Sequence, residues 1–364
     1  MKNVYIFIKY SGEPSGAEKR FLNIWRNLIN YNKPVYLVTH AKTLDYILLN
    51  DFERKFVIIY NSKNLTYLSQ LFSIYQNYKK IDKNSILHFT NSYFPLISLI
   101  TRSSYVISWL QPFSLFSFKN LKIRHFFLFL IGFIFAKNID VLNPKNYKLF
   151  KNIFFYKKLF NTPISNNVDK KKFYPETKNN SIVFLGRLES DKGVSLLLNS
   201  IKFLDNKLKS SNENEAIIIY ILGKGPQESL VKKFIYNNCF NKVKIKNFYT
   251  NKPNHYLNKS KIFVSLQQSS NYPSRALVEA MFSGCIPIIT NTEDSELMGS
   301  KNNLLFINKN IKPDQLSDII LNILSYDDKK IKDLSKKIRK EAIVLFDNDK
   351  QINYFNNLYF NNIF

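Results

Sequence analysis

Short runs rich in Val, Ile and Phe recur along this chain between longer stretches of mixed character, and that rhythm is the strongest limit on its fold. The first series is Val4–Ile8, Val35–Thr39, Phe56–Tyr60, Ser85–Phe89, Ser104–Trp109 and Asp140–Leu142. A second runs through Ser181–Gly186, Ala216–Leu222, Val243–Phe248, Lys261–Leu266 and Ile286–Thr290. Strand-like runs separated by helix-length segments predict parallel sheets covered by helices on both faces. Between the two series, Asn161–Asp169 and the polar stretch Lys170–Asn180 read as a linker. The expected architecture is therefore α/β, with two Rossmann-like, doubly wound parallel-sheet domains facing across a cleft. The expected domains are residues 1–165 and 166–345, followed by a C-terminal helix over 346–364. In that last segment Ile352, Phe355, Leu358 and Tyr359 form an apolar stripe that needs a partner, which we expect to be the N-terminal domain.

At 364 residues with 45% hydrophobic side chains, the chain is too long for one ordinary domain and too apolar for disorder. Its two cysteines, Cys239 and Cys285, offer no disulfide framework, and Met1 leads directly into the first strand run, so a reducing, cytoplasmic setting is expected. The formal charge of +26 attracts phosphates, whether on a nucleotide, a lipid headgroup or nucleic acid, and a merely solvated lysine-rich surface is an equal alternative. The cations are dispersed and no nucleic-acid motif appears, so no nucleic-acid partner is expected. The longest apolar run, Phe126–Ala136, is flanked by Lys122, Arg124, His125 and Lys137 and is far short of the ~20 residues that span a bilayer. It suits a buried helix, or a helix lying in an anionic membrane interface with the basic-aromatic stretch Lys145–Lys158 nearby. The second reading would put the protein peripherally at the inner face of the membrane.

In an open parallel sheet, ligands gather at the carboxyl ends of the strands. Three segments there carry polar chemistry. Tyr10–Glu18 places Gly12 and Gly16 between a strand and a helix, a common turn that lacks the Gly-Lys-Ser/Thr ending of a phosphate loop. Strand 181–186 empties into Arg187-Leu188-Glu189-Ser190-Asp191-Lys192-Gly193. There the guanidinium fork and the lysine point charge suit a diphosphate, or else pair with Glu189 and Asp191 on the surface. In the third segment Pro273 and the N-cap residue Ser274 start a helix at Arg275, whose first amides favour a phosphate. Glu279, one turn on, can accept hydrogen bonds from vicinal ribose hydroxyls or form an i,i+4 pair with Arg275.

Taken together, Phe184–Val194, Leu222-Gly223-Lys224-Gly225-Pro226 and Val278–Ile289 resemble glycosyltransferase family 4, the group 1 retaining glycosyltransferases of the GT-B fold. The turn Asn166-Asn167-Val168-Asp169 resembles the one that opens the second half in that family. The resemblance implies that Arg187 and Lys192 bind the donor diphosphate and Glu279 the ribose. Gly186 and Gly223 would border the nucleotide, Ser274 and the amides of Arg275 and Ala276 would cap a phosphate, and Gly12 and Gly16 would lie over the donor. It implies neither a metal nor any cofactor, the nucleotide sugar being a substrate. Two positions depart from the family pattern. Asn271 stands where a first glutamate is usual, eight residues before Glu279, and Gln111 stands near the usual place of a histidine. An amide can hydrogen-bond a sugar hydroxyl but carries no charge. Gln111 and His88 are thus candidate sugar contacts, with a structural role as the alternative for His88.

The resemblance implies metal-independent, retaining transfer of a hexosyl or N-acetylhexosaminyl group from a UDP- or GDP-sugar to a hydroxyl. The acceptor would be a glycan or a polyprenyl-linked glycan in cell-envelope polysaccharide synthesis. The alternative is a non-catalytic GT-B-fold partner subunit of an active glycosyltransferase.

Overall fold

The computed structural model describes residues 2–8, 16–62, 67–77, 80–90, 104–109, 136, 138–153, 158–164, 168–209, 216–270, 272–292 and 294–361. The chain divides into two compact units, Met1–Asn167 with Asn348–Phe364, and Val168–Asp347.

The first unit holds strands β1 (Val4–Ile8), β2 (Val35–His40), β3 (Val57–Tyr60), β4 (Ile86–Phe89), β5 (Ser104–Trp109), β6 (Asn138–Val141) and β7 (Lys158–Asn161). Helices α1 (Gly16–Asn30), α2 (Asp51–Arg54), α3 (Tyr67–Gln76) and α4 (Pro144–Ile153) are also described. The strands form one sheet in the order β3-β2-β1-β4-β5-β6-β7, and every pairing is parallel. Helix α1 buries Phe21, Ile24, Trp25, Leu28 and Ile29, the three-and-four spacing of an amphipathic face. The Trp25 indole N–H donates to the Val35 carbonyl at 3.2 Å, so this large side chain is buried with its polar atom paired.

The second unit holds β8 (Asn179–Leu185), β9 (Ile217–Leu222), β10 (Val243–Phe248), β11 (Ser260–Ser265), β12 (Ile286–Thr290) and β13 (Leu305–Ile307). Its helices are α5 (Val194–Lys209), α6 (Glu228–Asn237), α7 (Asn254–Leu257), α8 (Arg275–Phe282), α9 (Pro313–Leu324) and α10 (Asp328–Leu345). The sheet order is β10-β9-β8-β11-β12-β13, again all parallel. Ile182, Val183 and Phe184 of the central β8 are all buried, as a strand covered on both faces requires.

Two strands lie outside the runs expected from sequence. β7 leads with a lysine and β13 has three residues, two of them only partly buried. Both are edge strands, and an edge strand has only one neighbour and needs no continuous apolar run.

The chain's last helix, α11 (Asn348–Phe360), belongs to the first unit. Its Ile352, Phe355, Leu358 and Tyr359 enter the same core cluster as Val4, Ile6, Phe21, Trp25 and Leu37. The Phe21 and Phe355 rings meet edge to face at 6.1 Å.

Candidate functional site

The order of the second sheet reverses between β8 and β11, the switch point at which open α/β sheets leave a crevice beyond their carboxyl ends. Gly186 and Gly223 follow β8 and β9 there. The Gly186 N–H donates to the Leu222 carbonyl at 3.1 Å and that of Gly223 to Phe248 at 3.1 Å, so the strands extend into the loops. A Cβ on Gly223 would sit 1.8 Å from the Gly186 carbonyl oxygen, whereas one on Gly186 would meet nothing within 4 Å. The two glycines therefore serve different ends: Gly223 lets two backbones touch, and Gly186 leaves open space at the crevice.

Arg187 projects into solvent, 77% exposed, and pairs with Glu189 at 2.9 Å. Residues Ser190–Lys192 make a single 3-10 turn ended by Gly193 at φ 74°, the left-handed region that favours glycine. That turn packs on the end of β11, because a Cβ at Gly193 would lie 2.2 Å from the Leu266 carbonyl oxygen. Lys192, 19% exposed, points its ammonium at Asp191 Oδ2, 3.5 Å away. The turn is tied to the β11–α8 loop by the Gln268 N–H donating to the Asp191 carbonyl at 2.8 Å.

Helix α8 begins where the sequence predicts. Ser274 caps it, accepting the Leu277 N–H on Oγ, so Arg275 and Ala276 lie in the first turn, where amides have no intrahelical acceptor. Arg275 Nε donates to Glu279 Oε1 at 2.8 Å, and the Glu279 side chain is 8% exposed. Ser265, Ser270, Ser274, Thr290 and Asp294, together with Leu277 and Met298, line a small cavity beside this helix start, and Ser270 Oγ donates to Asp294 Oδ2 at 2.5 Å.

Sequence reasoning missed what holds α8 at its other end. Lys178 Nζ donates to the carbonyls of Ser283 at 2.6 Å, Asn258 at 2.9 Å and Leu257 at 3.3 Å, and burial lowers its pKa. Arg339 of α10 donates to the carbonyls of Phe282, Phe173 and Lys170. Two cations thus satisfy the carbonyls at and just beyond the C-terminus of α8, where the helix dipole favours positive charge. With its far end fixed this way, the α8 N-terminus keeps a set position at the carboxyl edge of the sheet.

The second unit thus brings together Gly186, Arg187, Lys192, Gly223, Ser274, Arg275, Ala276 and Glu279 along one sheet edge. Gly12, Gln111 and Asn271 lie outside the described residues, as do residues 126–135 of the apolar run and residues 154–157. Gly16 is the first residue of α1.

His88 corrects an expectation. It is fully buried in the first unit, with Nδ1 bonded to the Tyr359 hydroxyl and Nε2 2.7 Å from Ser108 Oγ. Ser108 donates to Asp140 Oδ2 at 2.7 Å, and Asp140 Oδ1 accepts from Tyr354 at 2.6 Å and from Thr162. With no exposed edge and both nitrogens engaged, the imidazole joins α11 to the sheet rather than facing a sugar. Burial, helped by the Arg20 guanidinium, pushes its pKa down to about 3.

Among the described residues no three His, Cys, Asp or Glu side chains gather as a metal-ligand set, and no helix is long and apolar enough to cross a membrane.

Residues 165–341 match the family model described as glycosyl transferases, group 1. The matched stretch, which spans nearly all of the second unit, is similar to a group 1 glycosyltransferase domain. No curated protein sequence matches the chain. Among solved structures, Anabaena Alr3699/HepE in complex with UDP and glucose is similar at TM-score 0.73 and 15% identity, covering 98% of this chain and 99% of that one. A TarM variant from S. aureus, in complex with Fondaparinux, alpha-GlcNAc-glycerol and UDP, is similar at TM-score 0.72 and 13% identity, covering 99% and 100%. Sucrose-phosphate synthase from Thermosynechococcus elongatus reaches TM-score 0.75 at 13% identity, covering 99% and 98%. At these identities the likeness is one of fold, and it extends over both units.

Proposed function

We propose that this protein transfers a sugar from a nucleotide-sugar donor to a hydroxyl, with retention at the anomeric carbon. The observation that carries the reading is the placement of Arg187 and Lys192 at the switch point of the second sheet, with the capped start of α8 on the same edge. Arg187 and Lys192 hold the diphosphate, the first amides of α8 cap a phosphate, and Glu279 accepts from the ribose hydroxyls. As the sugar–phosphate bond breaks, negative charge grows on the leaving diphosphate, and the two cations stabilise it in the role we assign them in place of a divalent metal. A diphosphate oxygen takes the proton of the attacking hydroxyl, which joins the anomeric carbon on the face that the diphosphate leaves. UDP in the HepE and TarM structures makes a UDP-sugar the first donor class to test.

We assign the acceptor to the first unit, as a glycan or polyprenyl-linked glycan of envelope polysaccharide synthesis at an anionic membrane surface; the basic and aromatic composition supports this. The second reading, a non-catalytic partner subunit, is favoured by Asn271 at the place of a carboxylate and by Gln111 near the place of a histidine. A thermal-shift screen of UDP, GDP and their hexose and N-acetylhexosamine conjugates tests the donor site. A true donor at 100 times its Kd adds ~2.7 kcal/mol of stability. Donor turnover, read as release of UDP or GDP, separates the enzyme from the non-catalytic partner.

A further inference from the structure

The two cations of the proposed donor site, and Arg275 at the start of α8, are each already engaged by a carboxylate of their own segment: Arg187 by Glu189, Lys192 by Asp191 and Arg275 by Glu279. Asp191 differs from the other two because the oxygen that faces Lys192 also serves a second loop. Ser269 Oγ donates to that same Oδ2 at 3.3 Å, and the Gln268 N–H donates to the Asp191 backbone carbonyl at 2.8 Å. The next residue, Ser270, is bonded on its other side to Asp294. The segment that leads from β11 into α8 is therefore pinned through two adjacent serines by two aspartates from different loops. One of those aspartates shares its oxygen with the lysine assigned to the diphosphate.

We infer that Asp191 is a positioning residue that couples occupation of Lys192 by a diphosphate to the order of the β11–α8 loop. The inference rests on the donor-site reading given above. A diphosphate carries more charge than a single carboxylate and draws the ammonium toward itself. Asp191 Oδ2 then has Ser269 as its remaining partner of the two, and that hydrogen bond, made to a charged acceptor no longer shared with a cation, strengthens. The loop that precedes Ser274 and Arg275 becomes firmer when the donor is present. Asp191 itself need not touch the donor, and at 42% exposure it is free to adjust its position.

The test is hydrogen–deuterium exchange over residues 266–274, with and without saturating UDP or GDP, in wild type, Asp191→Asn, Asp191→Glu and Ser269→Ala. Nucleotide affinity is measured on the same samples. In wild type the nucleotide slows exchange in this loop. Asp191→Asn keeps nucleotide affinity within about fivefold, the span of an exposed ion pair, yet loses the nucleotide-dependent slowing. Ser269→Ala does the same, and Asp191→Glu restores part of the slowing. The double variant Asp191→Asn/Ser269→Ala behaves like either single one, because both remove the same link. Loop protection that persists in Asp191→Asn at full nucleotide occupancy overturns the coupling while leaving the donor site intact. Absence of any nucleotide binding by wild type overturns the donor-site reading, and the coupling with it.

Discussion

Gly223 stands so close to Gly186 that a Cβ on the first would lie 1.8 Å from the carbonyl oxygen of the second. No carbon–oxygen contact survives at that distance, and the neighbour is backbone, which cannot swing aside. Gly223→Ala is expected to part the ends of β8 and β9 at a cost of about 1–3 kcal/mol, the range for overpacking, measurable by chemical denaturation. Gly186→Ala is the matched control: its methyl group meets open space, so folding is unchanged and any loss of nucleotide binding reports crowding of the ligand.

Replacing Arg187 or Lys192 by Ala is expected to lower donor turnover by ~10²–10³-fold, the usual effect of removing one electrostatic stabiliser of a transition state. Folding stays near wild type, because exposed ion pairs such as Arg187–Glu189 contribute ~0–1 kcal/mol. Arg187→Lys falls between, since it keeps the charge and loses the planar fork. Turnover within a factor of two of wild type for both Ala variants would count decisively against the assignment.

His88 sets a pH dependence on the first unit. The folded imidazole is held neutral down to about 3, whereas an unfolded one takes up a proton near its ordinary value of ~6.5. Between those values the unfolded chain binds a proton that the folded chain refuses. The contribution is therefore complete above about pH 6.5 and is lost progressively as pH falls toward 3. Denaturation midpoints followed from pH 7 to pH 4 should drop more steeply in wild type than in His88→Gln, which has no such proton to take.

Helix α11 can be tested at Phe355 and Tyr359. Phe355 is fully buried against Phe21 and His88, so Phe355→Ala is expected to cost ~3–5 kcal/mol, read as loss of the first unit's unfolding transition. Tyr359→Phe keeps the ring and removes only the hydroxyl bonded to His88, for about 1 kcal/mol.

What the sequence disclosed follows from how local each signal is. The strand runs, the cap at Ser274 and the Arg275–Glu279 spacing are short-range patterns, and the structure places them as read. β7 and β13 escaped because edge strands carry half the apolar pattern. Lys178 and Arg339 escaped for a different reason: their partners are backbone carbonyls 57 to 169 residues away, and nothing marks them out among 53 Lys and Arg. His88 shows at a strand end, but the hydroxyl that claims it lies 271 residues further along.

The first unit draws part of its core from residues 348–360, on the far side of the whole second unit. In a chain made from its N-terminus, β1 and α1 leave the ribosome early and must wait with Phe21 and Trp25 lacking part of their cover. The second unit, complete by Asp347, is ready before the unit that precedes it. At ~5–20 residues per second the second unit's 180 residues take roughly ten to forty seconds to make, and for that time the exposed face of α1 is a surface for chaperones to guard.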